Sequence, residues 1–267
     1  MPVSHKYRVT FVHIPKTAGS SLEALLQMTG GIPAGVTPSR PTDQSLHTLW
    51  GEGITHWTAR EIRMAVPSLY RKYRSFSVIR NPFARMVSYA AWKDQKWVAH
   101  QPLTQKDFAK AVEEAHQFFL HKRIERHPAL RSMYQFLYDM KGNCIVDRVL
   151  AYEHLADEYH ALAQSWNLPP VITEERMKST HEDFHRYYTP RLRRLVEKIY
   201  AQDFKVFGYT FEGGMTHHPV IPRKIPQRMM MRVQAQLQDV APGIRAKRAR
   251  LVSRIQRESQ TRPDPSK

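Results

Sequence analysis

Thr10 to Leu26, TFVHIPKTAGSSLEALL, decides how the rest of the chain is read. Val9, Thr10, Phe11, Val12 and Ile14 are β-branched or aromatic, and the run breaks at Pro15. A turn of small residues follows, Lys16-Thr17-Ala18-Gly19-Ser20-Ser21, and then Leu22, Leu25 and Leu26 at helical spacing. The order is strand, tight loop, helix. A helix start carries unpaired backbone N–H groups and the positive end of the peptide dipoles, so it attracts an anion, a phosphate above all. Gly19 lets a ligand approach the backbone, Thr17, Ser20 and Ser21 offer hydroxyls, and Lys16 offers a full charge. The plainer reading is an ordinary strand-to-helix turn with a serine N-cap and a surface lysine. The loop lacks the first glycine of GxxxxGK[ST], and its lysine precedes the glycine, which argues against a kinase or ATPase of that type.

A second stretch, Ser75 to Trp92 (SFSVIRNPFARMVSYAAW), repeats the plan with different chemistry. Phe76, Val78 and Ile79 form a strand that ends at Arg80. Asn81 is an N-cap, and Pro82 sits at the first helical position, where its missing N–H costs nothing. Arg80 then stands at the carboxyl end of a strand, with Arg85 and Ser88 on the helix beyond it. Ligands of open α/β sheets bind in the crevice outside those strand ends. Arginine grips phosphate with two N–H groups, and Ser88 adds a hydroxyl. Two anion cradles of different design imply a ligand with phosphates at both ends.

HIPKTAGSSL resembles the 5′-phosphosulfate loop of sulfotransferases that use 3′-phosphoadenosine 5′-phosphosulfate (PAPS). VIRNPFARMVSYAAW resembles their 3′-phosphate motif, an arginine followed eight residues later by a serine. The resemblance is nearer to the carbohydrate branch, with its heparan and chondroitin enzymes and bacterial relatives. It continues through YEHLADEY (Tyr152 to Tyr159) and YYTPRLRRLVEKIYAQDFKVFGY (Tyr187 to Tyr209), and so covers roughly residues 8 to 211. It implies a P-loop-like three-layer α/β fold with a central, mainly parallel sheet between helices. It also implies sulfuryl transfer from PAPS to an acceptor hydroxyl, without a metal. By the same resemblance Lys16 through Ser21 hold the phosphosulfate, with Lys16 at the bridging oxygen, and Arg80 and Ser88 hold the 3′-phosphate. The segment HWTARE resembles the one that carries the catalytic base, which assigns that role to His56; His13 and His47 are the other candidates, and His13, inside the first strand, reads as structural. A basic residue of the loop 174–184, Arg176 or Lys178, closes over the nucleotide in this picture.

At 267 residues the chain can bury one substantial core, with a catalytic domain at 1–212 and an extension at 213–267. Lys and Arg number 41 against 24 Asp and Glu, a net charge of +17 that favours a polyanionic partner. From His217 onward there are 12 Lys and Arg against 3 Asp and Glu, in two helical patterns parted by Pro242-Gly243. A basic helical extension of that kind pairs with an anionic surface or a partner, packs back on the domain, or stays disordered. The acceptor is expected to be a carbohydrate or another hydroxyl compound, and no nucleic acid is expected. The single cysteine, Cys144, excludes an intrachain disulfide and reads as a buried thiol in an apolar run. No signal-peptide pattern and no apolar run near ~18 residues is present, so a cytoplasmic location of bacterial type is expected, with membrane-peripheral association open and the question of a removed anchor left aside.

Further helices are expected over Arg60 to Val66, Phe108 to Phe119, Ile124 to Met140, Glu153 to Trp166 and Thr189 to Phe204, and a strand over Ile145 to Tyr152. Gly30-Gly31 is read as the close of the first helix. The aromatics Phe118, Phe119, Tyr134, Phe136 and Tyr138 read as core, with stacking on a sugar or adenine as the alternative. Two other function classes fit part of the pattern: a P-loop-like kinase using ATP, and a non-catalytic protein that binds a nucleotide or a polyanion.

Overall fold

Among the residues described by the computed structural model (3–28, 56–65, 67–94, 101–124, 127–170 and 183–216), four strands make one sheet. β1 (Val3–Ser4), β2 (Val9–Val12), β3 (Arg74–Ile79) and β4 (Arg148–Ala151) lie side by side in that order. β1 is antiparallel to β2, whereas β2, β3 and β4 run parallel, with Phe11 opposite Phe76 and Ile79 opposite Ala151. The fold is α/β with a mostly parallel sheet, as the two strand-loop-helix stretches predict. The helices among the described residues are α1 (Gly19–Leu25), α2 (Ala59–Ala65), α3 (Pro67–Lys72), α4 (Pro82–Lys93), α5 (Gln105–Leu120), α6 (Met133–Leu137), α7 (Leu155–Trp166), α8 (Pro190–Ile199) and α9 (Ala201–Phe207).

Parallel strands covered on both faces read as unbroken apolar runs, and β2 is buried along its whole length. Alternate residues feed two cores. Val9, Phe11, Phe76, Val78 and Leu150 pack with Leu22 of α1 and with Leu155 and Tyr159 of α7. Val12, Ile79 and Val149 pack with Ile62 of α2 and with Met133 and Phe136 of α6. The side-chain period of two thus makes the middle layer of three. A third core joins α4, α5 and α8 through Phe83, Met86, Phe108, Val112, Leu192 and Val196.

Local signals explain α4. The Asn81 side chain accepts from the Phe83 N–H at 3.0 Å, and Pro82 is the first helical residue. A cap of this kind is worth about 1 kcal/mol. Glu153, just past β4, aims the segment: its two carboxylate oxygens accept from the Asn81 N–H at 2.7 Å and from the Tyr209 hydroxyl at 2.9 Å.

Several boundaries differ from expectation. The helix expected over 60–66 is α2, the one over 108–119 is α5, and the strand expected over 145–152 is the shorter β4. α1 stops at Leu25, ahead of Gly30-Gly31. Of the helix expected over 124–140, the described residues form α6, which begins beyond Pro128. The helix expected over 189–204 is two, α8 and α9, with Tyr200 between them at φ −111°. The start of the 153–166 helix is a 3-10 turn, Tyr152–His154. Phe136 is core, as expected, whereas Phe119 is 37 % exposed. Cys144 is a buried free thiol. His47, Arg176, Lys178, Gly30-Gly31 and the basic extension from His217 onward lie outside the described residues. Among the described residues, no helix is long and apolar enough to cross a membrane.

Candidate active site

The parallel pairing brings the carboxyl ends of β2, β3 and β4 to one edge. The chain leaves β2 into His13–Ser21, leaves β3 into Arg80-Asn81, and leaves β4 into Tyr152-Glu153. All three exits open on the crevice where α/β sheets bind ligands.

The first exit is bent in an unusual way. Lys16 has φ 68° and Ala18 has φ 67°, both in the left-handed region, with Thr17 between them. Alternation of that kind turns successive N–H groups toward one centre and makes a concave anion site. It costs a non-glycine residue about 1–2 kcal/mol at each position. Ala18 itself is the N-cap of α1 and supplies no side-chain bond, so the serine N-cap of the plain turn is not what forms. Among the described residues, none accepts from the backbone N–H groups of Ala18, Gly19 or Ser20. Thr17 is buried and its hydroxyl donates to the Ile14 carbonyl at 2.8 Å, so it braces the loop and offers a ligand only its backbone. Ser20 is exposed and Ser21 is half-buried. At Gly19 a Cβ would stand 2.1 Å from Nε2 of His13, so glycine is required for packing against that ring rather than for its dihedrals.

The second exit faces the first. Arg80 is 7 % exposed; its Nη1 donates to the Lys16 carbonyl at 3.3 Å, and its guanidinium lies 4.1 Å from the Tyr152 ring centroid. Its Nε is buried without a partner among the described residues. A buried charge with an unfilled donor is costly unless an anion completes it. Arg85 is also buried, but it is a brace: Nε donates to the Pro15 carbonyl at 3.1 Å, and Nη2 donates to the carbonyls of Ala129 and Arg131. Ser88 (6 % exposed) and Trp92 follow Arg85 at one-turn intervals on the same face of α4. The Lys16 Nζ lies 5.7 Å from the Trp92 ring centroid, so that face runs alongside Pro15-Lys16 from one end to the other. Burial, and then the Arg80 charge, push the Lys16 ammonium down to about 8.

Histidines close the third side. His56 Nδ1 is 3.2 Å from the His13 carbonyl. A carbonyl only accepts, so Nδ1 carries the proton and Nε2 keeps its lone pair. Burial pushes His56 down to about 4, with His13 adding to the effect, and the ring is therefore neutral at pH 7. The His13 and His56 rings meet edge to face at 4.6 Å. His13 in turn donates from Nδ1 to the Glu23 carboxylate at 2.5 Å. The carboxylate on α1, the strand-end histidine and the second histidine form a chain of contacts, with the His13 ring against Gly19.

A family profile described as the sulfotransferase family matches residues 1–210. The chain belongs to that family. The match takes in both cradles, both histidines and Tyr152-Glu153. No curated protein and no solved structure matches the chain. This sulfotransferase is an enzyme of sulfuryl transfer, and its reaction needs a hydroxyl-bearing acceptor. Among its described residues no group of three or more His, Cys, Asp or Glu could hold a metal ion.

Of the residues singled out in the sequence, Lys16, Thr17, Ala18, Gly19, Arg80, Ser88 and His56 converge on this edge of the sulfotransferase; Lys178 lies outside the described residues. Sequence reasoning missed Glu23, Tyr152 and Trp92. Tyr152 had a signal, its place directly after a strand. Glu23 had none, because its partner His13 lies on another element. His13, read as structural, touches Gly19 and pairs with both His56 and Glu23.

Proposed function

We propose that this sulfotransferase moves the sulfuryl group of PAPS to a carbohydrate hydroxyl by in-line displacement. The observation that supports this most is Arg80, a buried cation with an unfilled donor that ties one anion cradle to the other through the Lys16 carbonyl. A nucleotide with phosphates on its 3′ and 5′ positions fits two cradles joined in that way. The net charge of +17 favours an acidic saccharide as acceptor.

When bound, PAPS supplies the sulfuryl group and leaves as 3′,5′-ADP. The loop N–H groups of residues 18–20 hold the 5′ end without reorganising, which is where electrostatic catalysis gains most. Lys16, still charged at pH 7, faces the phosphate oxygen that gains negative charge. Arg80 and Ser88 hold the 3′-phosphate and so fix the position of the reacting end. His56 Nε2 takes the proton of the attacking hydroxyl, and the His13 carbonyl keeps the tautomer that can do so. The resulting imidazolium stands near the Glu23 carboxylate, whose charge favours it.

Calorimetric titration with 3′,5′-ADP, 5′-AMP and ATP tests the reading. At least about tenfold preference for 3′,5′-ADP is expected, since a charged hydrogen-bonded phosphate contact is worth about 1.5–3 kcal/mol. Arg80→Ala should erase that preference. Equal binding of the three nucleotides, or tighter binding of ATP, would sink the PAPS assignment and favour a kinase.

A further inference from the structure

Trp92 is the one large aromatic of α4 that faces solvent: it is 45 % exposed, while Phe83 and Tyr89 on the same helix are 1 % and 9 % exposed. It ends the stripe Arg85, Ser88, Trp92 that runs along the loop, and the Lys16 ammonium overlies its ring at 5.7 Å. Among the described residues, Lys16 has no carboxylate partner, so the indole face is what its charge rests on.

That resting place is weak. A cation–π contact on a half-exposed indole is weaker than a charge-assisted hydrogen bond to an anion. An anionic group held by the loop N–H groups outcompetes the indole for the ammonium. Once Lys16 turns to that anion, a flat aromatic face opens beside the atom at which transfer occurs. The indole face is the negative pole of a quadrupole, and it suits the C–H face of a sugar ring, whose hydrogens are polarised by the ring oxygens. A ring stacked there keeps its hydroxyls at the edge, free to point at the reacting sulfur.

Resting on the carbohydrate and PAPS reading above, we propose that Trp92 is the stacking platform for the sugar ring of the acceptor. Lys16 covers it until the donor nucleotide draws the ammonium away, so the donor binds first.

The test uses the full chain, wild type against Trp92→Ala, Trp92→Phe and Lys16→Ala. The probes are 3′,5′-ADP and unsulfated hexasaccharides of the chondroitin and heparosan types, titrated calorimetrically. Wild type should bind a hexasaccharide at least about fivefold more tightly when saturated with 3′,5′-ADP, a coupling of ordinary size. Trp92→Ala should lose about tenfold or more in saccharide affinity, Trp92→Phe about threefold or less, and both should keep 3′,5′-ADP affinity within about twofold. Lys16→Ala should bind saccharide equally with and without nucleotide. Loss of nucleotide affinity in Trp92→Ala with saccharide binding intact would mean that adenine stacks there, and the proposal would fall. Unchanged saccharide affinity in Trp92→Ala, or no coupling in wild type, would overturn the platform or the cover respectively. Should wild type bind 3′,5′-ADP but neither saccharide, the carbohydrate reading fails on its own. Tryptophan fluorescence then still decides the cover: 3′,5′-ADP must change it in wild type but not in Trp92→Phe or Lys16→Ala, and no such difference overturns it.

Discussion

The two anion cradles reach the same edge of the sheet by opposite means. The Arg80 cradle is relaxed: Asn81 caps α4, Pro82 starts it, and Glu153 aims it. The loop from Pro15 to Ser21 is strained, with two non-glycine residues in the left-handed region and no side-chain cap on α1. Its shape is imposed from outside, by Arg85 on the Pro15 carbonyl, Arg80 on the Lys16 carbonyl and the His13 ring against Gly19. Strain of this kind persists only where the surroundings over-determine it, and it clusters at active sites and ligand clamps. On the PAPS reading proposed above, the difference puts the chemistry at the loop and the holding at the helix.

The largest effect should come from the loop. Lys16→Ala is expected to lower kcat by about a thousandfold, the loss typical of one stabilising donor aimed at developing charge. Its 3′,5′-ADP affinity should fall by about tenfold at most, since the N–H groups and Arg80 remain. Single-turnover kinetics beside calorimetry separates the two. Affinity and rate falling together would remove the distinction between the cradles.

The same division appears against pH. His56, pushed down to about 4, is a neutral base above that value. Lys16, pushed down to about 8, is charged below that value. Activity needs both forms, so kcat/KM should be flat between about 4 and about 8 and fall about tenfold per pH unit on either side. Lys16→Arg should move the alkaline limb upward and leave the acid limb in place. His56→Ala should bind nucleotide normally and remove the acid limb along with most of the turnover. An acid limb near the ordinary histidine value of about 6.5 would show that another histidine is the base.

Ser88→Ala should act oppositely and more mildly. One hydroxyl contact is worth about 1 kcal/mol, so nucleotide affinity should drop about fivefold while kcat stays within about twofold. A kcat loss comparable with that of Lys16→Ala would place Ser88 in the chemistry.

How much of this was legible in the sequence follows from the range of each cause. Asn81-Pro82 caps α4 with its own neighbours, and the β-branched and aromatic residues of β2 and β3 mark both strands, so both could be read locally. The break at Tyr200 could not, because the apolar stripe of Leu192, Val196 and Ile199 runs straight up to it. What sets α9 apart is Asp203, buried and accepting from the Met133 and Tyr134 N–H groups and the Ser132 hydroxyl, a contact across some seventy residues. The Glu23–His13 pair spans only ten residues, but it joins α1 to the end of β2 across the turn between them, so no local pattern marked it. The left-handed Lys16 and Ala18 ran against the sequence, since neither is a glycine and only tertiary braces hold them there.

The smallest prediction concerns that strain and has opposite signs in the two cradles. Ala18 sits at φ 67°, ψ 16°, which glycine adopts freely. Ala18→Gly relieves about 1–2 kcal/mol in the folded state and gives back about 0.4–1 kcal/mol through the more flexible unfolded chain. The net is a gain between zero and about 1.6 kcal/mol, or a rise in Tm of up to about 6 °C. Turnover should stay within about threefold of wild type, because Arg80, Arg85 and Thr17 hold the loop from its flanks whichever residue stands at 18. Asn81→Ala, in the relaxed cradle, removes a satisfied cap and should cost about 1 kcal/mol. Thermal unfolding of the two variants gives the comparison directly. If both lowered Tm, the loop would be relaxed as well, and the N–H groups of residues 18–20 would converge without stored strain.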